Sequence, residues 1–508
     1  MTGIVIAIVA YLVLMVGIGI YFNKKGDSSS EGFYLGGRKL GPLVAAMSAE
    51  ASDMSSYLLM GLPGLAYISG VADVGWTIIG LALGTYLNWL LVAKKLRRYS
   101  AKVGAITVPE FFSKRYNDDK NILTCIAAII IIVFFIPYTA SGFKAVGTLF
   151  NTLFGVDYHA AMIVGAVIIV GYTILGGFLA VSTTDLIQSI VMTFALVVMV
   201  IYGIKSAGGI DVVIDNAKSL PGYLSLNETY DIATNSALNY GPITVLSTMA
   251  WGLGYFGMPH ILLRFMAVRD ENEIKISRRI ASVWVVISMF VAMVIGIIGK
   301  ALSSTGRIEN FTTSSDAETI IIKLSQILAE HGFLISVIAG VVLAGILACT
   351  MSTADSQLLA AASGVSQNIM QDVFGIRLSE RKAMITARLT VAVIAIISVF
   401  LAWNPDSSVF TIVSFAWAGF GGTFGPVMLF ALFWKRSNFQ GALAGMVSGG
   451  IVIFVWKYLV RPMGGIWNIY ELLPAFLVAS IFIVVVSLCT KAPDSLVTDV
   501  YDEMSKKN

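Results

Sequence analysis

Apolar residues fall in long blocks along this chain, separated by short polar or charged segments. A helix needs about 20 apolar residues to cross the hydrocarbon core of a bilayer. Blocks of that order occur near 2–22, 41–68, 74–96, 121–150, 159–179, 184–205, 240–264, 278–301, 332–370, 384–402, 408–434, 438–458 and 471–490. The pattern predicts an all-α integral membrane protein with about 13 transmembrane helices. Segment 332–370 is longer than one crossing requires, so it should bend or run on into water. Two connections are long, 206–239 and 302–331. In the second, Asp316-Ala317-Glu318 opens an amphipathic stretch to Glu330, which is expected to form an external helix.

Two blocks are interrupted. Inside 41–68 stands Ala51-Ser52-Asp53-Met54-Ser55-Ser56-Tyr57. Ser and Asp side chains compete with helical hydrogen bonds by bonding nearby backbone. A carboxylate at membrane depth costs several kcal/mol unless it meets a partner, a cavity or an ion. Unwound carbonyls suit a hard monovalent cation, and half-helix N-termini suit a carboxylate. A kink satisfied by neighbouring helices is the plainer alternative. Glu50 is either a second site carboxylate or the partner of a basic group. The other interruption is Met249-Ala250-Trp251-Gly252-Leu253-Gly254-Tyr255-Phe256-Gly257-Met258-Pro259-His260, where three glycines and a proline weaken the helix. Trp251 and Tyr255 share a face if the turn stays helical, ready to bury a ligand or to pack between helices. The two interruptions lie five spans apart. Because five is odd, the blocks that they open would be inverted relative to each other, a known plan of secondary transporters.

A third candidate is the stripe Cys349, Ser352, Thr353, Ser356 beside Asp355, whose hydroxyls either join helices or complete an ion's oxygen shell. Asp185 could join it or could cap the helix that begins near 184. Tyr138, after Pro137, faces either a cavity or the core. Gly419-Phe420-Gly421-Gly422 marks a flexible or closely packed helix.

Only 13% of the 508 residues are charged, against roughly 25% in soluble domains. The short basic clusters between spans read as topology signals, not as a nucleic-acid surface. If the N-terminus lies outside, the inner loops and tail hold 26 of the 34 Lys and Arg residues. The positive-inside rule then places the N-terminus outside and the C-terminus in the cytoplasm. The first block has no basic n-region and is expected to remain as a span. Cys125, Cys349 and Cys489 show neither disulfide nor metal spacing, three scattered histidines make no metal site, and no nucleophile–base set suggests an enzyme.

At these residues the chain resembles the sodium/solute symporter family, most closely its sodium/proline symporters. The likeness runs nearly end to end, through Gly36-Gly37-Arg38, Ala51-Ser52-Asp53-Met54-Ser55, Leu59-Met60-Gly61-Leu62-Pro63-Gly64, Gly176-Gly177-Phe178-Leu179-Ala180-Val181-Ser182, Trp251 to Gly257, Pro259-His260-Ile261-Leu262, Met351-Ser352-Thr353 and Ser414 to Gly421. The resemblance implies a LeuT-type core of two inverted five-helix repeats, here 41–205 and 240–434, flanked by 2–22 and 438–490 with a cytoplasmic tail 491–508. It implies sodium held by Ala51, Met54, Cys349, Ser352 and Thr353, coupling through Asp53, and L-proline among Ser55, Ser56, Tyr57, Tyr138, Trp251, Tyr255 and Pro259. Asp355 and Ser356 match positions that form a second sodium site in some relatives, with Asp185 alongside. No cofactor beyond the coupling ion is implied. The expectation is a single polytopic domain in the plasma membrane that imports L-proline with sodium. The alternatives are sodium- or proton-coupled transport of another small carboxylate-bearing solute and, more remotely, a solute sensor. Ser56-Tyr57 replaces the family's usual Gly-Trp, Glu50 stands where a small residue is usual, and Cys349 where alanine is usual.

Overall fold

The computed structural model describes residues 1–25, 30–376 and 378–505. Parts of the basic segments counted above, namely 26–29 within the loop 23–40, Arg377, and Lys506 and Lys507 of the tail, lie outside the described residues. Among the described residues ten helices are long and apolar enough to cross a membrane. The three other expected spans are also helical but short or broken. Segment 159–179 appears as Tyr158–Gly176. Segment 41–68 is split into Pro42–Asp53, a π-helical turn Tyr57–Gly61 and Leu62–Ser69. Segment 240–264 is split into Pro242–Met249, a tighter 3-10 stretch Ala250–Phe256 and Pro259–Ala267.

These two broken helices sit at the centre. Around them pack Val71–Leu87, Ile122–Phe154, Phe178–Ala207, Ile274–Ser304, Phe333–Ser363 and Val409–Phe433. From Val342 to Ser363 every residue of Phe333–Ser363 is buried, so its polar stripe must find partners inside the protein. The expected elongation of this segment is real: a π-helical run Gly364–Val373 continues it. The two breaks are tied at one end of the bundle. Leu40, entering the first broken helix, bridges Val268, leaving the second, through Leu40 N–H to Ala267 O (3.1 Å) and Arg269 N–H to Leu40 O (3.0 Å).

Glycine matters where backbones touch. A Cβ on Gly84 would strike the Gly252 carbonyl, and one on Gly252 would strike the Gly80 carbonyl. Helix Val71–Leu87 thus rests directly on the second break. At Gly419 a Cβ would enter the Phe134 ring, which decides for close packing over flexibility.

Several expectations change. Segment 302–331 does carry a short helix, Ile320–Ala329, and Ile320, Ile321, Ile322 and Leu324 are fully buried, so its apolar face is seated against the bundle. Glu318 before it pairs with Lys144 (3.4 Å) and accepts from the Val409 and Phe410 amides, satisfying free N–H groups where Val409–Phe433 begins. Segment 206–239 folds into a helix Ile210–Ser219 and a hairpin pairing Glu228–Asp231 with Ser236–Asn239. Arg264 does not belong with the loop cations, because it is buried inside the protein. Asp185 caps nothing: its helix starts at Phe178, two turns earlier.

The remaining basic segments converge on one end of the bundle. Arg38 donates to the Ala105 carbonyl (2.6 Å), Arg98 pairs with Glu271, Lys102 with Glu503 (2.8 Å) and Lys435 with Asp502 (2.6 Å). The last two contacts hold the C-terminal helix Ser495–Ser505 against that face.

Candidate ion and solute site

At the first break the serine side chains engage nearby backbone. Ser52 Oγ bonds back to the Ser48 carbonyl (2.6 Å). The last regular bond is Met54 N–H to Glu50 O (2.8 Å). Then Ser55 N–H turns to Asp53 O (2.8 Å) with Met54 at φ −75°, ψ 62°, an inverse γ-turn. Helix resumes as a π-turn before Pro63, which has no N–H to give. The second break is made by Gly257 and Met258, the latter extended at φ −72°, ψ 108°, with Pro259 preset at the first position of the next helix.

Three stripes of the first broken helix meet three different neighbours, as successive residues about 100° apart must. Ala51 faces Phe333–Ser363, where Ser352 Oγ donates to the Ala51 carbonyl (2.7 Å) with the Cys349 carbonyl at 3.2 Å. Thr353 Oγ1, next in line, is buried without a partner among the described residues. Ala51, Cys349, Ser352 and Thr353 are thus brought together as oxygen donors, with Met54 at the turn itself. Such a set suits a small hard cation.

The Ser48 and Ser52 stripe faces Asp185, Ser356 and a residue that the sequence reading placed elsewhere, Arg264. Its Nη2 lies 3.1 Å from Asp185 Oδ2 and donates to Ser356 Oγ (2.6 Å), Nε donates to Ser48 Oγ (3.0 Å), and Nη1 donates to the His260 carbonyl (3.0 Å). Ser48 and Ser52 both reach Asp185 Oδ2, at 2.6 and 3.2 Å. Asp355 adjoins through Ser356 (3.4 Å). Asp185, Asp355 and Ser356 are thus brought together, sharing their cluster with the Arg264 guanidinium, while Asp185 Oδ1 stays buried without a partner among the described residues. Four segments are tied by one buried ion pair.

The third stripe, Glu50 and Asp53, meets neutral donors. Trp89 Nε1 donates to Glu50 Oε1 (3.0 Å), and Tyr255 Oη donates to Asp53 Oδ2. Tyr138 Oη donates to the Asp53 carbonyl (3.3 Å).

Beside the turn an aromatic wall forms. Tyr57 and Trp251 rings lie 6.5 Å apart, and Trp251 stacks on Tyr470 at 5.4 Å and 21°. Phe410 lies 5.2 Å from Trp251, and Trp417 meets Tyr255 edge-on at 5.1 Å. Trp417 Nε1 donates to the Trp251 carbonyl (2.7 Å), which holds the 3-10 stretch in place. Ser55, Ser56, Tyr57, Tyr138, Trp251, Tyr255 and Pro259 are all buried in this centre. Ser56 Oγ has no partner among the described residues. Phe410, Trp417 and Tyr470 complete the wall and were not singled out in the sequence. For Trp417 a signal existed, the Ala-Trp-Ala-Gly run on a helix whose glycines demand close packing.

Residues 33–449 match the family model described as the sodium:solute symporter family. A protein named sodium/proline symporter 2 from Staphylococcus saprophyticus is 38% identical, over 99% of this chain and 96% of its own length. A sodium/proline symporter of Staphylococcus aureus is 38% identical, over 97% of this chain and 94% of its own. Among solved structures, a substrate-bound, outward-open Na+-coupled sialic acid symporter superposes with a TM-score of 0.77 at 18% identity. It covers 97% of this chain and 99% of that one. A nucleobase-cation-symport-1 family transporter in a closed conformation gives 0.52 at 13% identity.

Proposed function

This chain belongs to the sodium:solute symporter family, a multi-pass membrane transporter and not an enzyme, and we propose that it moves L-proline inward across the plasma membrane together with sodium. The observation that carries this reading is the junction at Asp53–Tyr57. There the oxygen donors Ala51, Cys349 and Ser352 and the aromatic wall of Tyr57, Trp251 and Tyr255 are built on one interrupted turn. Sodium on the first group orders the turn that presents the second. By linkage, each ligand then raises the affinity of the other by the same factor. The N-terminus lies outside, and the converging basic face lies in the cytoplasm. Segments 41–205 and 240–434 serve as the two repeats of the LeuT-type core, rocking about this centre. In this account Arg264 is the resident cation of the Asp185 cluster.

Proline suits the wall because its pyrrolidine ring is apolar and compact, and its carboxylate can take donors at the broken turn, with Ser56 Oγ available. Equilibrium binding of labelled L-proline to the purified chain, with and without sodium, tests the pairing of ligands. Sodium should tighten proline binding at least about tenfold, and unlabelled proline should displace the label better than other amino acids. Equal binding in both media, or better displacement by another carboxylate-bearing solute, would overturn it.

Two variants separate the groups. Ser352→Ala removes one hydroxyl from the oxygen set, a loss of about 1 kcal/mol. Apparent sodium affinity should fall roughly fivefold, with proline affinity at saturating sodium retained. Trp251→Ala removes an aromatic face worth about 1.5–3 kcal/mol. Proline affinity should fall roughly tenfold or more while sodium binding without proline stays near wild type. Equal loss of both in the second variant would mark Trp251 as structural only.

A further inference from the structure

A charged row on helix Ile274–Ser304 lies outside the transport centre. Lys275, Arg279, Val283, Ile287 and Val291 stand four apart, so they follow one another along a single ridge of the helix. Two exposed cations begin the row and three aliphatic residues continue it. Val283 and Ile287 are 59% and 58% exposed, so the ridge faces out of the bundle. Between it and Leu196 and Val197 of helix Phe178–Ala207 lies a cleft of about 510 Å³, with Arg279 in its lining. The only other polar groups of that lining are small or tied: Ser288, and Thr193, which takes the Trp284 indole N–H (2.9 Å) and so joins the two walls. Val291 is twelve residues beyond Arg279, about 18 Å along the helix. Half of the hydrocarbon core is about 15 Å. The cleft thus runs from a charged end through one leaflet, the reach of a single acyl chain.

The two cations are left without a protein counter-charge. Like charges one helical turn apart repel unless an anion meets them. The carboxylates nearest in sequence are taken, Glu271 by Arg98 and Glu273 by Arg269 (2.6 Å). Arg278 turns to a different side, over the Tyr86 ring (5.4 Å). Among the described residues no carboxylate lies within ion-pair distance of Lys275 or Arg279. An ammonium and a guanidinium at the head of an apolar slot complement a molecule with an anionic head and an apolar chain. Basic groups placed between membrane helices on the cytoplasmic side take lipid headgroups in this way.

We propose that this cleft holds one anionic phospholipid of the cytoplasmic leaflet, with its phosphate on Arg279 and Lys275 and one acyl chain along Val283, Ile287 and Val291. The choice of leaflet rests on the orientation given above, whereas the match of head and chain does not. Met47 of the first broken helix also lines the cleft, six residues before Asp53. The bound chain therefore touches the helix whose interruption carries the candidate sodium donors.

Native mass spectrometry of the purified full-length chain in detergent tests the headgroup, with dioleoyl phosphatidylglycerol or phosphatidylcholine added at equal concentration. Wild type should retain one phosphatidylglycerol about tenfold more strongly than phosphatidylcholine, the size of effect expected for a bond between charged groups. Arg279→Gln should bring the two lipids to equal retention. Lys120→Gln removes an exposed charge that does not line the cleft and should change nothing. The chain is tested by fluorescence: one equivalent of phosphatidylglycerol brominated at mid-chain should quench wild type and quench Trp284→Phe far less. Equal retention of both lipids by wild type, or a phosphatidylglycerol preference that survives Arg279→Gln, overturns the site. Release of the lipid by excess glycerol phosphate marks a headgroup site without a chain and also overturns it. Sodium-linked proline binding on the same preparations is read separately: its absence counts against the carrier reading and leaves the lipid site standing.

Discussion

Asp53→Asn is expected to lower apparent sodium affinity by roughly 10- to 150-fold and to leave membrane insertion intact. Asp53 is wholly buried, its Oδ2 takes the Tyr255 hydroxyl, and its carbonyl takes Tyr138. An amide has nearly the same shape, so the packing of the turn should survive. What is lost is the charge that a cation at this depth would meet, and a bond to a charged group is worth about 1.5–3 kcal/mol. Sodium titration of proline uptake in membranes with matched amounts of transporter gives the result directly. Near-normal sodium dependence would remove Asp53 from the coupling role and leave it a structural acceptor for the two tyrosines.

Arg264→Ala is expected to destabilise the folded transporter by about 3–5 kcal/mol, because it leaves Asp185 buried without a cation. The same change strips donors from Ser48, Ser356 and the His260 carbonyl. The melting temperature in detergent should drop by many degrees, and the yield of monodisperse protein should fall. Arg264→Lys should recover little, since an ammonium cannot spread its donors over four partners as the planar fork does. Replacing the pair together, as Arg264→Met with Asp185→Leu, should restore much of the stability, because no buried charge is then left unpaired. A single Arg264→Ala variant that melts like wild type would show that the ion pair does not brace these segments.

The breaks in the two central helices could be read from the chain because their cause is local. Ser52 and Ser55 engage backbone two to four residues away, and Gly257 and Pro259 act on their own backbone. Partnerships across the bundle are not local, and there the sequence reading failed. Arg264 sits near a run of cytoplasmic cations and looks like one of them in sequence. Only the fold shows that its helix carries it inward to Asp185. For Asp185 the sequence left two roles open, and the cap was one of them only because the apolar count began near 184, whereas the helix begins after Gly177, whose positive φ of 88° ends the preceding one. Phe410, Trp417 and Tyr470 escaped notice for a different reason. Aromatic residues are common in apolar spans, and nothing in their spacing says which ones face the centre. The glycines of the second break had a second role as well. Gly252 does less to weaken its helix than to let Gly80 and Gly84 approach it.

A sodium gradient is expected to drive proline through this centre. Proteoliposomes holding the purified chain should accumulate labelled L-proline above its external concentration when an inward sodium gradient is imposed. They should fail to do so with an inward proton gradient alone. Accumulation driven by protons without sodium, or none under either gradient, would contradict it.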